Sequence, residues 1–232
     1  SLELRHFKVA LPHGGLIMLR RLMSMAGTQP VYNAWDPTHK GDHFTLTNQN
    51  RTAANDIPTP SNGTVLSVYG KSSGVYQCEH TIDIYPSVGM IELGVAYQTV
   101  NLNNHLGAVE DMWTWIGTSV GGGQKSNHVG QTGWTSGNFV VGDVLGVVVS
   151  IGLNLLNFYK NGTLLALGGG ASSIMQTAAG DPFYGPFAGT VYWAFKSFHN
   201  VDQNPTQVTS NFGHTAFAYP VVGAVPMHGP TT

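Results

Sequence analysis

The chain has 232 residues, 42% of them apolar, with ten Lys and Arg against twelve Asp and Glu for a formal charge of −2. That balance excludes intrinsic disorder, and so few cations exclude the extended basic face on which nucleic acid binds. Charged residues make up only 9% of the chain, so its 30 Gly and many Asn, Thr and Ser give a surface of amides and hydroxyls on what the length allows as one domain.

Leu2–Val9 largely alternates apolar and polar side chains, the period of a half-buried strand. Gly14–Met25 fits a helical face through Leu16, Leu19, Leu22 and Met23, and equally a short buried strand. Its apolar stretch ends at Arg20 and Arg21, too short to cross a bilayer. No clear cleavage site of a signal peptide follows, although Met23–Gly27 is loosely of that kind. The chain begins at Ser1 without an initiator Met, which leaves processing or an upstream segment open. With Arg5, Lys8, Arg20 and Arg21, residues 1–30 read as an arm that docks on a partner subunit or lies across its own domain.

From Val31 onward, short strands alternate with turn signals at the spacing of an all-β sandwich. Phe44–Thr47 is a strand stopped by Asn48–Asn50, and Thr64–Tyr69 is another. The clearest is Val75–Ile84, with Tyr76, Cys78, His80, Ile82 and Ile84 on one face and Val75, Gln77, Glu79, Thr81 and Asp83 on the other. Met90–Tyr97 is expected to pair with it, and Trp113–Gly117 follows after a loop. Gly121–Gly123 opens a long polar connection to Phe139.

Gly142–Val149 is an aliphatic strand behind a Gly-Asp turn, and Asn157–Thr163 is its return. Asn161-Gly162 accepts positive φ at both central positions of a type I′ turn. Thr190–Phe198 and Gln207–Phe212 are expected as the last strand pair, before a Pro- and Gly-rich tail at 221–232. No helical period follows Val31, and no repeat of solenoid length occurs. Cys78 is the only cysteine, so no intrachain disulfide forms, and its alternation with core residues marks a small buried hydrophobe.

In order along the chain stand Ala34-Trp35-Asp36-Pro37-Thr38-His39-Lys40-Gly41, Phe44–Asn48, Gly70-Lys71-Ser72-Ser73-Gly74-Val75-Tyr76 with Glu79, and Glu92-Leu93-Gly94-Val95-Ala96. Leu102-Asn103-Asn104-His105-Leu106-Gly107, Gly142–Val147, Phe158-Tyr159-Lys160-Asn161-Gly162 and Asn211-Phe212-Gly213-His214-Thr215-Ala216-Phe217-Ala218-Tyr219 complete the series. Together these resemble a SPRY domain over residues 34–219, and the opening and closing residues resemble the variety found in bacteriophage virion proteins. The resemblance implies a bent sandwich of two antiparallel sheets, a concanavalin-like architecture, whose loops at one end bind partners. The chain departs from the pattern in Ser150–Leu156, where the family usually carries an acidic residue and a Gly-Thr turn. It departs again in a longer Gly189–Thr206, expected to enlarge one loop.

A glycosidase reading fails on spacing. Glu79 and Asp83 on one strand face lie roughly 13 Å apart, beyond the roughly 5 to 9.5 Å of a catalytic pair. His39 and His43, flanking Asp42, have the i,i+4 spacing at which ligands meet on a helix, but they stand in a turn-rich segment entering a strand; they and His80, beside Cys78 and Glu79, read as solvated histidines. No P-loop, Rossmann or Gly-x-Ser-x-Gly motif occurs, and Gly168–Gly170 has no helix after it. No metal and no cofactor are expected.

Alternation places Trp113 and Trp115 in the core. Trp134 and Trp193 are the aromatic surface candidates, and Tyr192, Asn103, Asn104 and His128 complete the expected ligand-binding set. The sequons at Asn50, Asn62 and Asn161 are chance in a chain so rich in Asn and Thr.

The expectation is a non-enzymatic virion protein, assembled in a host cytoplasm. It would be a homo-oligomer contacting other virion subunits and attaching to a host surface glycan or protein. Neither nucleic acid nor membrane insertion is expected. A purely structural capsid-decoration or tail subunit, and a cellular SPRY adaptor that binds a short peptide, are the alternatives.

Overall fold

The computed structural model describes residues 31–56, 61–86, 89–103, 111–118, 124–127, 130–133, 139–165, 187–199 and 205–229. The expectations for residues 1–30 lie outside them. In chain order the strands are β1 (Trp35–Lys40), β2 (Phe44–Thr47), β3 (Thr52–Asn55), β4 (Ser61–Ser67), β5 (Val75–Ile84), β6 (Gly89–Ala96) and β7 (Met112–Thr118). Then come β8 (Gln124–Asn127), β9 (Gly130–Gly133), β10 (Val144–Ser150), β11 (Leu155–Lys160), β12 (Thr163–Leu164), β13 (Tyr192–His199), β14 (Thr206–Asn211) and β15 (Val225–Pro226).

They form two sheets, the all-β sandwich expected. The first runs β1-β4-β13-β6-β7-β8-β9 and the second β12-β11-β10-β5-β14-β3-β2. Alternating residues of each face inward: Val65, Ile91, Leu93, Val95, Trp113, Trp115 and Phe195 from the first meet Cys78, Ile82, Leu145, Val147, Leu156, Phe158 and Val208 from the second. Cys78, Trp113 and Trp115 are all buried, as alternation predicted.

β5 has the bounds its alternation predicted, but its neighbours differ. β6 does not pair with β5; it lies between β13 and β7 in the first sheet. β13 and β14 are likewise not partners, since β13 pairs with β4 and β6, and β14 with β3 and β5. Side-chain alternation fixes which face is buried and leaves the neighbouring strand open. Within Gly189–Thr206, Tyr192–His199 is strand β13, and residues 200–204, on which the expected loop enlargement falls, lie outside the described residues.

β10 and β11 pair in register from Leu145 opposite Lys160 to Ser150 opposite Leu155. Their link is the 3-10 turn Ile151–Leu153, closed by Asn154 at φ 53°. The Asn161-Gly162 turn has the expected positive φ at both positions, 49° and 78°, and leads from β11 into β12.

After β14 the chain turns back over the outer face of β5. The Glu79 carboxylate accepts the backbone N–H groups of Ala218 and Tyr219, at 2.8 and 2.7 Å. The Gln77 amide donates to the Tyr219 carbonyl and accepts from the Val221 N–H, each at 2.8 Å. Residues 221–229 belong to the same compact unit as the sandwich. β15 pairs in parallel with Tyr76 and Gln77 of β5, and Met227 is fully buried in the core.

Candidate functional site

On the outer face of the first sheet, Leu66, Ala96, Met112 and Ala194 form a second, smaller apolar cluster. The segment after β6 folds back onto it through Val100 and Leu102. Its backbone is tied down by Thr64 N–H donating to the Leu102 carbonyl at 2.9 Å and Tyr97 N–H to that of Asp111 at 2.8 Å. Two apolar anchors therefore hold Gln98, Thr99, Asn101 and Asn103 at the surface, all four exposed.

These amides connect to β1. His39 Nδ1 lies 2.8 Å from Asp36 Oδ2, and Gln98 Nε2 lies 3.0 Å from His39 Nε2. The Tyr192 hydroxyl, from β13, donates to Gln98 Oε1 at 3.5 Å. Thr38 adds its hydroxyl and its backbone N–H to Asp36 Oδ1, both at 2.7 Å. Burial pushes the Asp36 carboxyl up, but hydrogen bonds from Thr38 and His39 outweigh it and hold the group below its usual range. Beside this chain of bonds, Asn103 accepts the Asp42 N–H at 3.0 Å and donates to the Asp42 carboxylate at 3.1 Å.

An Asp-His pair invites a catalytic reading, and the partners answer it. With Nδ1–H donating to Asp36, Nε2 is left to accept from the Gln98 amide, a group that is not a nucleophile. Glu79 and Asp83 are also engaged: Glu79 holds the returning chain, and Asp83 accepts from Thr209 at 2.6 Å and Gln207 at 3.2 Å. Among the described residues, no group of three His, Cys, Asp or Glu is placed to hold a metal ion.

The structure thus brings Tyr192 and Asn103 to one surface. Trp193, expected as an exposed anchor, is fully buried. It alternates inward with Val191 and Phe195, so its surface role is corrected. His80 is corrected as well: it is not solvated but buried, stacked on Trp35 at 5.8 Å and bonded through Nδ1 to Ser210 at 2.8 Å. Trp134, Asn104 and His128 lie outside the described residues. Asp36, His39 and Gln98 were missed as partners of Tyr192. The opening Trp-Asp-Pro-Thr-His stretch holds Asp36 and His39, and nothing in the sequence marks Gln98.

A family model described as the SPRY domain matches residues 76–206, more than half of the chain. Among solved structures, the SPRY domain of human HERC1 superposes with a TM-score of 0.54 at 20% identity, over 79% of this chain and 100% of that one. The TRIM65 PSpry domain gives 0.53 at 14% identity, over 83% and 97%. Stonustoxin gives 0.52 at 21%, over 78% of this chain and 27% of the toxin chain. No curated protein matches the chain.

Proposed function

This chain belongs to the SPRY family, and on that footing we propose that it is a non-enzymatic recognition module that binds a protein through the surface around Tyr192, Gln98 and Asn103. The hydrogen-bonded chain Tyr192–Gln98–His39–Asp36 carries this reading. It presents a half-buried aromatic ring among exposed amides and hydroxyls whose side chains are already ordered, which lowers the entropy lost on binding. A shallow surface of this kind gives modest affinity at one site, raised where copies are linked.

A random peptide library displayed against the whole chain tests it. The expected outcome is recovery of short peptides whose binding falls at least tenfold in Tyr192→Ala with the unfolding midpoint unchanged. Recovery of none, or of peptides indifferent to Tyr192, overturns the site.

The finer setting, attachment within a phage virion, is supported by the Trp35–Gly41 and Asn211–Tyr219 residues and by the scarcity of charge. A cellular adaptor remains the other setting, and the relatives named above include a human protein. Imaging native particles with an antibody to the chain separates the two: labelled particles support the virion setting, and unlabelled ones remove it.

A further inference from the structure

We propose that the end of the sandwich around Tyr32 is a second contact, a cationic cradle of Arg51, Lys71, His214 and His228 that receives an acidic segment of the protein partner. The proposal rests on the protein-binding reading above and adds a charge requirement to it.

Cations are scarce in this chain, and most of those described are engaged. Lys160 pairs with Asp143 at 2.7 Å, Lys196 with Glu92 at 3.8 Å, and Lys40 donates to the Phe44 carbonyl at 2.7 Å. Arg51 and Lys71 have no ion-pair partner among the described residues, and both stand at this end. Among the described residues, the Arg51 guanidinium donates only to Asn48, at 3.1 and 2.8 Å. Its own carbonyl accepts the Ser210 N–H at 2.9 Å, which sets the β2–β3 turn beside the residues that follow β14. Lys71 is fixed by its two backbone bonds to Val191, at 2.9 and 2.8 Å.

Between them stand the two imidazoles. The ring of Tyr32, an exposed residue, stacks on His214 at 4.9 Å and meets His228 edge-on at 5.2 Å. Nδ1 of each histidine is buried without a hydrogen-bond partner among the described residues. Burial lowers both imidazole pKa values, and the positive neighbours add to it: Arg51 and His228 act on His214, and Lys71 acts on His228. Among the described residues, no acidic group contributes at either ring. Among the described residues, the groups facing the pair are Tyr32 from the entry to β1, Arg51 from the β2–β3 turn and Lys71 from the β4–β5 loop. Phe212 lies 6.5 Å from His214.

A carboxylate brought to this place relieves the mutual repulsion and raises both imidazole pKa values toward protonation. The cradle therefore carries two fixed positive charges at neutral pH and up to four as the histidines protonate. Its affinity for carboxylates rises as pH falls from 7.5 to 5.5, above the range in which the ligand's own carboxylates protonate.

The test is binding of a fluorescent octa-glutamate peptide to the whole chain at low salt, with an octa-lysine peptide and inorganic phosphate alongside. The expected result is binding about fivefold tighter at pH 5.5 than at 7.5. It weakens at least tenfold in Arg51→Gln/Lys71→Gln and loses its pH dependence in His214→Gln/His228→Gln. Lys71→Glu alone, which leaves the backbone bonds to Val191 in place, is expected to weaken octa-glutamate binding at least tenfold and keeps the test independent of any folding defect in the histidine variants.

Equal binding of octa-lysine, or octa-glutamate binding indifferent to Arg51 and Lys71, overturns the cradle. Phosphate competing as effectively as the peptide overturns the peptide assignment in favour of a small-anion site. Tyr192→Ala separates the two proposals. Acidic-peptide binding that survives it while library peptides are never recovered sustains the cradle and sinks the Tyr192 surface. Recovered peptides that lack acidic residues and any pH dependence do the reverse.

Discussion

Glu79 and Tyr219 are joined by a 2.7 Å bond from the Tyr219 backbone N–H to the Glu79 carboxylate, whose other oxygen takes the N–H of Ala218. One buried acid thus holds two consecutive amides of the returning chain. Bonds to a charged acceptor contribute roughly 1.5–3 kcal/mol each. Glu79→Gln places an amide N–H₂ against one of those donors, so it is expected to lose about that much in urea unfolding. Faster hydrogen exchange at Ala218 and Tyr219 is the local signature.

Gly162 presses on the same residue from the other side. It has φ 78°, and a Cβ built there stands 2.6 Å from the Tyr219 ring. Gly162→Ala therefore combines left-handed strain of roughly 1–2 kcal/mol with displacement of Tyr219. Combined with Glu79→Ala, the effects are expected to be non-additive by at least about 0.5 kcal/mol, because both changes release one segment. A double-mutant cycle in urea measures the coupling, and strict additivity refutes it.

On the first sheet, Lys196 and Glu92 are directly opposed cross-strand neighbours with side chains only 3% and 1% exposed. Thr114 donates to the second Glu92 oxygen at 2.9 Å. Removing the acid alone strands a buried ammonium, so Glu92→Leu is expected to cost about 3–5 kcal/mol. Glu92→Leu with Lys196→Met leaves no unpaired charge and recovers most of that loss. Thermal unfolding of the two variants gives the order.

His80 makes stability depend on pH. Burial lowers its pKa from 6.5 to about 3, so the folded chain keeps the ring neutral where the unfolded chain protonates it. The stability it confers is complete above about pH 6.5 and is lost as pH falls toward about 3, at up to about 1.36 kcal/mol per unit. His80→Gln is expected to be less stable at neutral pH but to lose stability more slowly on acidification. Parallel slopes for the two proteins between pH 6 and 4 contradict the assignment.

What could be read from the residues follows from how far each signal reaches. The alternation in Val75–Ile84 is local, and so it located β5 and the inward turn of Cys78 and Ile82. The same alternation through Val191, Trp193 and Phe195 buries Trp193, whereas its polar neighbours point to a surface. Strand neighbours were not legible, because an inward-facing row is satisfied by either sheet. Tyr192 and Asn103 share one surface because the segment after β6 folds back through Val100 and Leu102, a path with no periodic signature. His214 follows β14, but His228 is brought to Tyr32 by β15, whose two residues are too few to show a pattern.

The segment that wraps β5 bears on how this domain is made. Gln77 and Val221, which help close that wrap, are 144 positions apart. During synthesis β5 leaves the ribosome with its outer face bare, and it stays bare until nearly all of the sandwich has followed. Such long-range closure is slow and leaves unpaired strand exposed to other chains while it lasts. The wrap is therefore a late lock, and nascent or truncated chains that stop short of it are the forms most prone to aggregate.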